Sequence, residues 1–138
     1  EFRRVLFRSD AGLVMVSLAP VSQDPPLVLW SVDRRSGSLS TWLDAPGFAL
    51  HLLADDQEAL AWQFAKKGEE KFAGLETSRG LVGAPLIDGA AAVLECVTHA
   101  QFDGGDHVIL VGRVVAATVS DRPPLVMHGG RMRGLPTP

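Results

Sequence analysis

The chain has no tyrosine, a single cysteine at position 96, and a net charge of only −3 over 138 residues. One cysteine excludes an intrachain disulfide and a thiolate zinc cluster. The weak acidic balance removes any electrostatic case for nucleic acid or an anionic membrane as partner. Long apolar runs are missing too. None approaches the roughly 20 residues a spanning helix requires, and Asp88, Glu95, Asp106 and Arg113 interrupt the best candidates. His51, His99, His107 and His128 show neither HxH nor HExxH spacing, which speaks against a metal centre. Gly129-Gly130 fits neither a P-loop nor a GxGxxG fingerprint, so no Rossmann cofactor domain is expected. No internal repeat, low-complexity tract or catalytic constellation of acids, bases and nucleophiles stands out. With no export signal that survives scrutiny, a cytoplasmic location is the default.

What is present is an ordinary globular balance: 46% hydrophobic and 21% charged residues, enough for one domain with a real core. Short apolar and β-branched runs dominate. Gly12–Leu18, Leu27–Val32 and Phe48–Leu53 read as strands, the second covered on both faces. Phe48, Leu50 and Leu52 share one face, with His51 on the other. Ala91–Phe102 and His107–Val119 are two long strands joined by Asp103-Gly104-Gly105-Asp106, and Cys96 is inert core. Leu125–His128 is a last short strand, and the tail from Arg131 frays. Leu39–Leu43 forms at most a short helix, stopped by Pro46-Gly47. The one amphipathic helix spans Asp55–Lys67. Asp55 and Glu58 form its capping box, Leu60 and Phe64 its buried side, and Gly68 its stop. Several strands with one or two helices point to a β-barrel and not an alternating parallel sheet.

Ser36-Gly37-Ser38 precedes the short helix at Leu39. A helix start offers unpaired N–H groups and the positive end of a dipole, which suit a phosphate. Ordinary capping by either serine is the competing reading. Asp33-Arg34-Arg35 alone would be a solvated turn. Residues 1–9 begin without methionine and spell what a common sequencing adapter gives when translated. They are expected to be non-native read-through, with the domain itself over residues 10–138. The signal-peptide alternative is undercut by Asp10 and by the lack of a small-x-small cleavage site.

The ordered set Ser22-Gln23-Asp24-Pro25-Pro26-Leu27-Val28, Val32-Asp33-Arg34-Arg35-Ser36, Phe48–Leu53, Lys71-Phe72-Ala73-Gly74, Gly83–Ala90, Leu94-Glu95-Cys96, Gly105–Gly112 and Pro123-Pro124-Leu125-Val126 resembles the flavin reductase family with the FMN-binding split-barrel fold. The likeness covers roughly residues 12–134. It implies a mainly β, antiparallel split β-barrel of Greek-key type with one amphipathic helix, N-terminally truncated because family members carry a helix and a strand ahead of Gly12. It implies hydride transfer from NADH or NADPH to FMN or FAD, a homodimer, and delivery of reduced flavin to a flavin-dependent monooxygenase. Flavin contacts would fall to Val14, Met15, Val16, Ser17, Ser31, Asp33, Arg34, Ser36, Ser38 and His51, with His107 near the nicotinamide. No side chain acts as a catalytic acid or base, since the isoalloxazine itself accepts hydride. Val14 and Val16 replace polar residues of the family, leaving main-chain N–H groups for ring contacts. His51 stands where asparagine is usual, and Met127 and Met132 where tyrosine is frequent. Two other readings remain: a non-enzymatic module that binds flavin, and a related split-barrel oxidase of the pyridoxamine type.

Overall fold

The computed structural model describes residues 10–68 and 70–136. The read-through expectation for residues 1–9 lies outside the described residues. In chain order the elements are β1 (Ala19–Gln23), β2 (Pro26–Asp33), α1 (Leu39–Asp44), β3 (Gly47–Leu52), α2 (Glu58–Ala65), β4 (Ser78–Arg79), β5 (Pro85–Leu86), β6 (Ala92–Gly104), β7 (His107–Val119), β8 (Leu125–His128) and β9 (Arg131–Gly134). The architecture is mainly β. Among the described residues every strand pairing is antiparallel. One five-stranded sheet has the order β1-β2-β7-β6-β3, and β4-β5 and β8-β9 form two small hairpins. Among the described residues no helix is long and apolar enough to cross a membrane.

Register explains the core. Trp30 pairs with Leu110, Val32 with Val108, and Phe48 with Cys96. Cross-strand partners share a face, so these six side chains, with Leu50, meet as one buried cluster. Trp30 sits edge-on to Trp42 at 5.1 Å and to Phe48 at 5.8 Å, the favoured aromatic geometry. Leu39, Trp42 and Leu43 of α1 pack against this cluster. Each such side chain, once covered, contributes about 1.5–3 kcal/mol. Gly112 lets β7 approach closely: a Cβ there would lie 2.5 Å from Phe48 Cζ and 2.8 Å from Cys96 Cβ.

Several expectations change. Gly12–Leu18 is not a strand; β1 begins at Ala19. Pairing with β2 runs only as far as Ala19 opposite Leu29. Beyond that point the Ser31 N–H donates to Ser17 Oγ at 3.0 Å, so a side chain substitutes for the ladder. Further anchors are Lys71 Nζ donating to the Gly12 carbonyl at 2.9 Å and the Asp10–Arg79 ion pair at 2.7 Å. The β-branched content of the segment reflects the wall it forms, not a hydrogen-bonded strand. Leu27–Val32 does lie within β2, which Pro26 opens as its first residue. Neither face is covered along its whole length: Trp30 and Val32 are buried, while Leu27, Val28, Leu29 and Ser31 are half-buried.

The amphipathic helix is shorter than its pattern. It starts at Glu58 with Gln57 at the cap position and no side-chain cap bond, and it ends at Ala65, leaving Lys66 and Lys67 outside. The Asp55 N–H donates to Pro123 and Ala54 bridges Pro124. That backbone is already committed to the C-terminal segment, so Asp55 cannot open a helix. Gln57 braces the entry instead, accepting from the Ala54 N–H and donating to the Asp88 carbonyl. The loop between the long strands is two residues, not four, because Gly104 pairs with His107. Gly105 takes φ +75°, as a two-residue hairpin needs at its first position. Finally, Arg131–Gly134 does not fray but forms β9 against β8. Its turn is Gly129-Gly130, both at positive φ, a pair that favours tight hairpins.

Candidate functional site

A cleft of about 400 Å³ opens between the extended 10–18 segment, β3, α2, the β4-β5 hairpin and the C-terminal hairpin. Its walls are overwhelmingly apolar. Val14, Met15 and Val16 line one side; Ala49 and His51 come from β3, Leu60 and Phe64 from α2, Ala84, Pro85 and Ile87 from the small hairpin, and Met127 and Met132 from β8 and β9. The local pattern explains this. In the extended segment Leu13, Met15 and Leu18 pack toward the core, which turns Val14 and Val16 outward at 37% and 80% exposure. Gly12 lies against Phe64, whose ring would sit 2.3 Å from a Cβ at that position. Phe64 in turn stacks edge-on with Phe72 at 5.0 Å. The 10–18 segment is therefore seated on an aromatic pair.

His51 is the polar group that β3 contributes to this wall, beside Asp10 and Thr41 from elsewhere in the lining. Its Nε2 accepts the Ile87 N–H at 3.1 Å, which requires the neutral imidazole. Burial pushes its pKa below the usual value, against smaller opposing effects of the Ala49 backbone and the Glu95 charge.

The other predicted residues gather elsewhere. Ser17 and Ser31 meet each other, as described. Asp33, Arg34, Ser36 and Ser38 form the loop between β2 and α1, opposite the tip of the β6-β7 hairpin. Arg34 donates from Nε to the Gly105 carbonyl at 2.8 Å and from its terminal nitrogen to Asp103 at 2.5 Å. The Arg35 guanidinium and backbone N–H both bond the Asp33 carboxylate. These bonds hold the Asp33 pKa at about 2. His107 pairs with Asp33 in register, and its Nδ1 lies 2.6 Å from the Asp106 carboxylate. The cleft thus collects Val14, Met15, Val16 and His51, but not His107 or the charged loop.

One link joins the two regions. Trp42 lines the cleft, and its indole N–H donates to Ser38 Oγ at 3.0 Å. Ser36 Oγ and Ser38 Oγ are 3.1 Å apart. Of their two hydroxyl protons one is spent between them, so one is free for an external acceptor. Neither serine caps α1 through its side chain onto the helix N–H groups.

Pattern reading missed Phe64, Phe72 and the Ala84–Ile87 wall as site residues. Glu95, buried at 9% exposure with its carboxylate on the Leu81 N–H, was missed as well. A carboxylate inside the apolar run Val93–Val97 was the available signal.

Comparison with known proteins accounts for this arrangement. Residues 8–136 match the flavin reductase like domain. The chain is 40% identical to the FMN reductase (NADH) SmoA of Agrobacterium fabrum over 119 residues, covering 86% of this chain and 68% of that protein. It is 38% identical to the reductase component of the flavin-dependent trigonelline monooxygenase of Acinetobacter baylyi, over 75% of this chain and 33% of that one. Against several of these curated relatives it spans less than two thirds of their length. The solved structure of the Streptomyces globisporus NADH:FAD oxidoreductase SgcE6, in complex with NAD and FAD fragments, superposes with a TM-score of 0.86 at 37% identity, over 91% of this chain and 78% of that one. An antiparallel sheet, an apolar cleft and a match along nearly the whole length lead to one conclusion: the chain belongs to the flavin reductase like domain family.

Proposed function

We propose that this protein is an NAD(P)H-dependent flavin reductase that transfers a hydride from NADH or NADPH to FMN or FAD. The observation that carries the reading is the pair Val14 and Val16, large apolar side chains exposed on the wall of a mainly apolar cleft in a chain of this family. Such a surface calls for a flat aromatic ligand to cover it.

The residues present fit a flavin. Val14, Met15 and Val16 would hold the ring, with the main-chain N–H groups of that segment and of Ser17 beside it. The free hydroxyl proton of the Ser36–Ser38 pair would serve the phosphate, reached past Trp42. A bound flavin supplies the hydride acceptor, and the protein need contribute only position, electrostatics and exclusion of water. Neutral His51 keeps positive charge out of the cleft. His107 Nδ1 bonds the Asp106 carboxylate, and in the neutral ring Nε2 would then accept a carboxamide N–H of the co-substrate. Arg34 ties the serine loop to the hairpin tip that carries His107, so the two sets of contacts are braced together.

The finer architecture supported by the family match is a split β-barrel of Greek-key type. Exposed Phe102 and Val119 on the long strands suit a second copy of the chain. Relatives named as reductase components of flavin-dependent monooxygenases support delivery of reduced flavin to such a partner. A non-enzymatic flavin module is the one rival with an observation behind it: the apolar Val14 and Val16 donate nothing to the ring. Titration with FMN, followed by addition of NADH, separates the two. The reductase consumes NADH in proportion to added FMN. Tight flavin binding without NADH consumption favours the module, and absence of binding removes both.

A further inference from the structure

We propose that Glu95 and His51 are positioning residues that clamp the Ser78–Ile87 hairpin and so set the width of the cleft, an inference that rests on the flavin reading above. The two side chains leave neighbouring strands on the same face. Register places Ala49 opposite Glu95 and His51 opposite Val93, so both project away from the Phe48–Cys96 core. Each takes one backbone N–H of the hairpin. Leu81 donates to Glu95 Oε1 at 2.6 Å, and Ile87 donates to His51 Nε2 at 3.1 Å.

The two accepted amides bracket the part of the hairpin that matters. Between them Val82 is buried over Gly47, where a Cβ would lie 3.0 Å from Val82 Cβ. Ala84, Pro85 and Ile87 face the cleft. The β4-β5 ladder has only two residue pairs, too few to hold a wall by itself. A largely buried carboxylate is costly unless it is well bonded, and here its bond goes to the hairpin backbone. Position 80 completes the device. A Cβ there would sit 1.8 Å from Glu95 Oε1 and 2.8 Å from its Cδ, so only glycine admits the carboxylate. Arg79, bonded to the Gly83 carbonyl and to Asp10, fastens the same hairpin to the opposite rim.

The test uses the whole chain, with FMN titration, amide hydrogen exchange and a thermal melt. In the wild type the Leu81 and Ile87 amides should exchange slowly without flavin. Glu95→Ala should weaken FMN binding roughly tenfold and release the Leu81 amide. Glu95→Gln, which keeps Oε1 as acceptor, should restore both. Gly80→Ala should reproduce the Glu95→Ala loss while leaving the carboxylate in place. The double variant Gly80→Ala/Glu95→Ala should bind FMN no worse than Glu95→Ala alone, because the added methyl then meets only the movable end of the Leu86 side chain, at 3.1 Å. His51→Leu should release Ile87 and weaken FMN similarly. Additive losses in the double variant, unchanged FMN affinity in the folded single variants, or fast exchange of both amides in the wild type would each overturn the clamp. If Glu95→Ala does not fold, Gly80→Ala and His51→Leu carry the same decision. A wild type that fails to bind FMN overturns the flavin reading instead, and amide exchange still reports whether the clamp exists.

Discussion

The molecule has two ends that look alike in importance and differ in physics. The loop from Asp33 to Ser38, facing the Asp103–His107 hairpin tip, is crowded with charges and hydroxyls. Nearly all are taken: Arg34 by Asp103 and Gly105, Arg35 by Asp33, His107 by Asp106, Ser38 by Trp42. The cleft carries little charge, yet it leaves Val14 and Val16 uncovered. Polar groups that satisfy each other hold a loop in shape. Unsatisfied apolar surface marks where something else fits. The chemistry expected of this family suits that division, because the cofactor reacts and the protein positions it.

The largest expected effect comes from the wall shared by core and cleft. Phe48→Ala removes a ring packed on Trp30 and lining the cleft. It should lower stability by about 3–5 kcal/mol and weaken flavin binding with it. A denaturant melt with and without FMN measures both. Next, Ser17→Ala leaves the Ser31 N–H without its acceptor. The expected loss is about 1–2 kcal/mol, with weaker FMN binding because the Val14–Val16 wall loosens.

His51 gives a smaller, pH-dependent signal. Its folded pKa is depressed by burial, so the folded state disfavours the charged imidazole. The resulting stability is present above the ordinary value of 6.5 and is lost as pH falls below it toward the lower folded value. A series of melts between neutral and mildly acid pH should show that decline in the wild type and lose it in His51→Leu. The smallest effect belongs to the polar end. Arg35→Ala should lower the melting temperature only slightly, since the pair with Asp33 is exposed, and the Asp33 carboxyl, which keeps the backbone N–H of residue 35, should rise only part of the way from about 2 toward 3.8. Carbon-13 NMR titration of the Asp33 carboxyl reads that shift. A large loss of stability from Arg35→Ala would erase the contrast between the two ends.

Much of the fold was legible where the pattern has a single cause. Short apolar and β-branched runs placed β2, β3, β6 and β7, and Val14, Met15, Val16 and His51, which the family resemblance singled out, line the cleft. Failures came where tertiary contacts overrode a local signal. Gly12–Leu18 has strand composition, but Ser17 takes the Ser31 N–H in place of a ladder. Asp55 and Glu58 have capping-box spacing, but the Asp55 N–H is spoken for by Pro123. Gly129-Gly130 was read only as a failed phosphate motif, and Arg131–Gly134 beyond it was polar enough to pass for a tail, so the β8-β9 hairpin went unread. Glu95 stood out only as a carboxylate inside an apolar run; its contact with Gly80, fifteen residues earlier, exists only once the chain is folded.

The most direct measurement is FMN affinity in Val16→Glu compared with Arg34→Ala. Val16 is 80% exposed, so a carboxylate there should not disturb the fold. If the ring lies on that wall, FMN binding falls by roughly thirtyfold or more in Val16→Glu and much less in Arg34→Ala. Undiminished binding in Val16→Glu, with binding lost in Arg34→Ala, would put the flavin at the polar end and contradict the account.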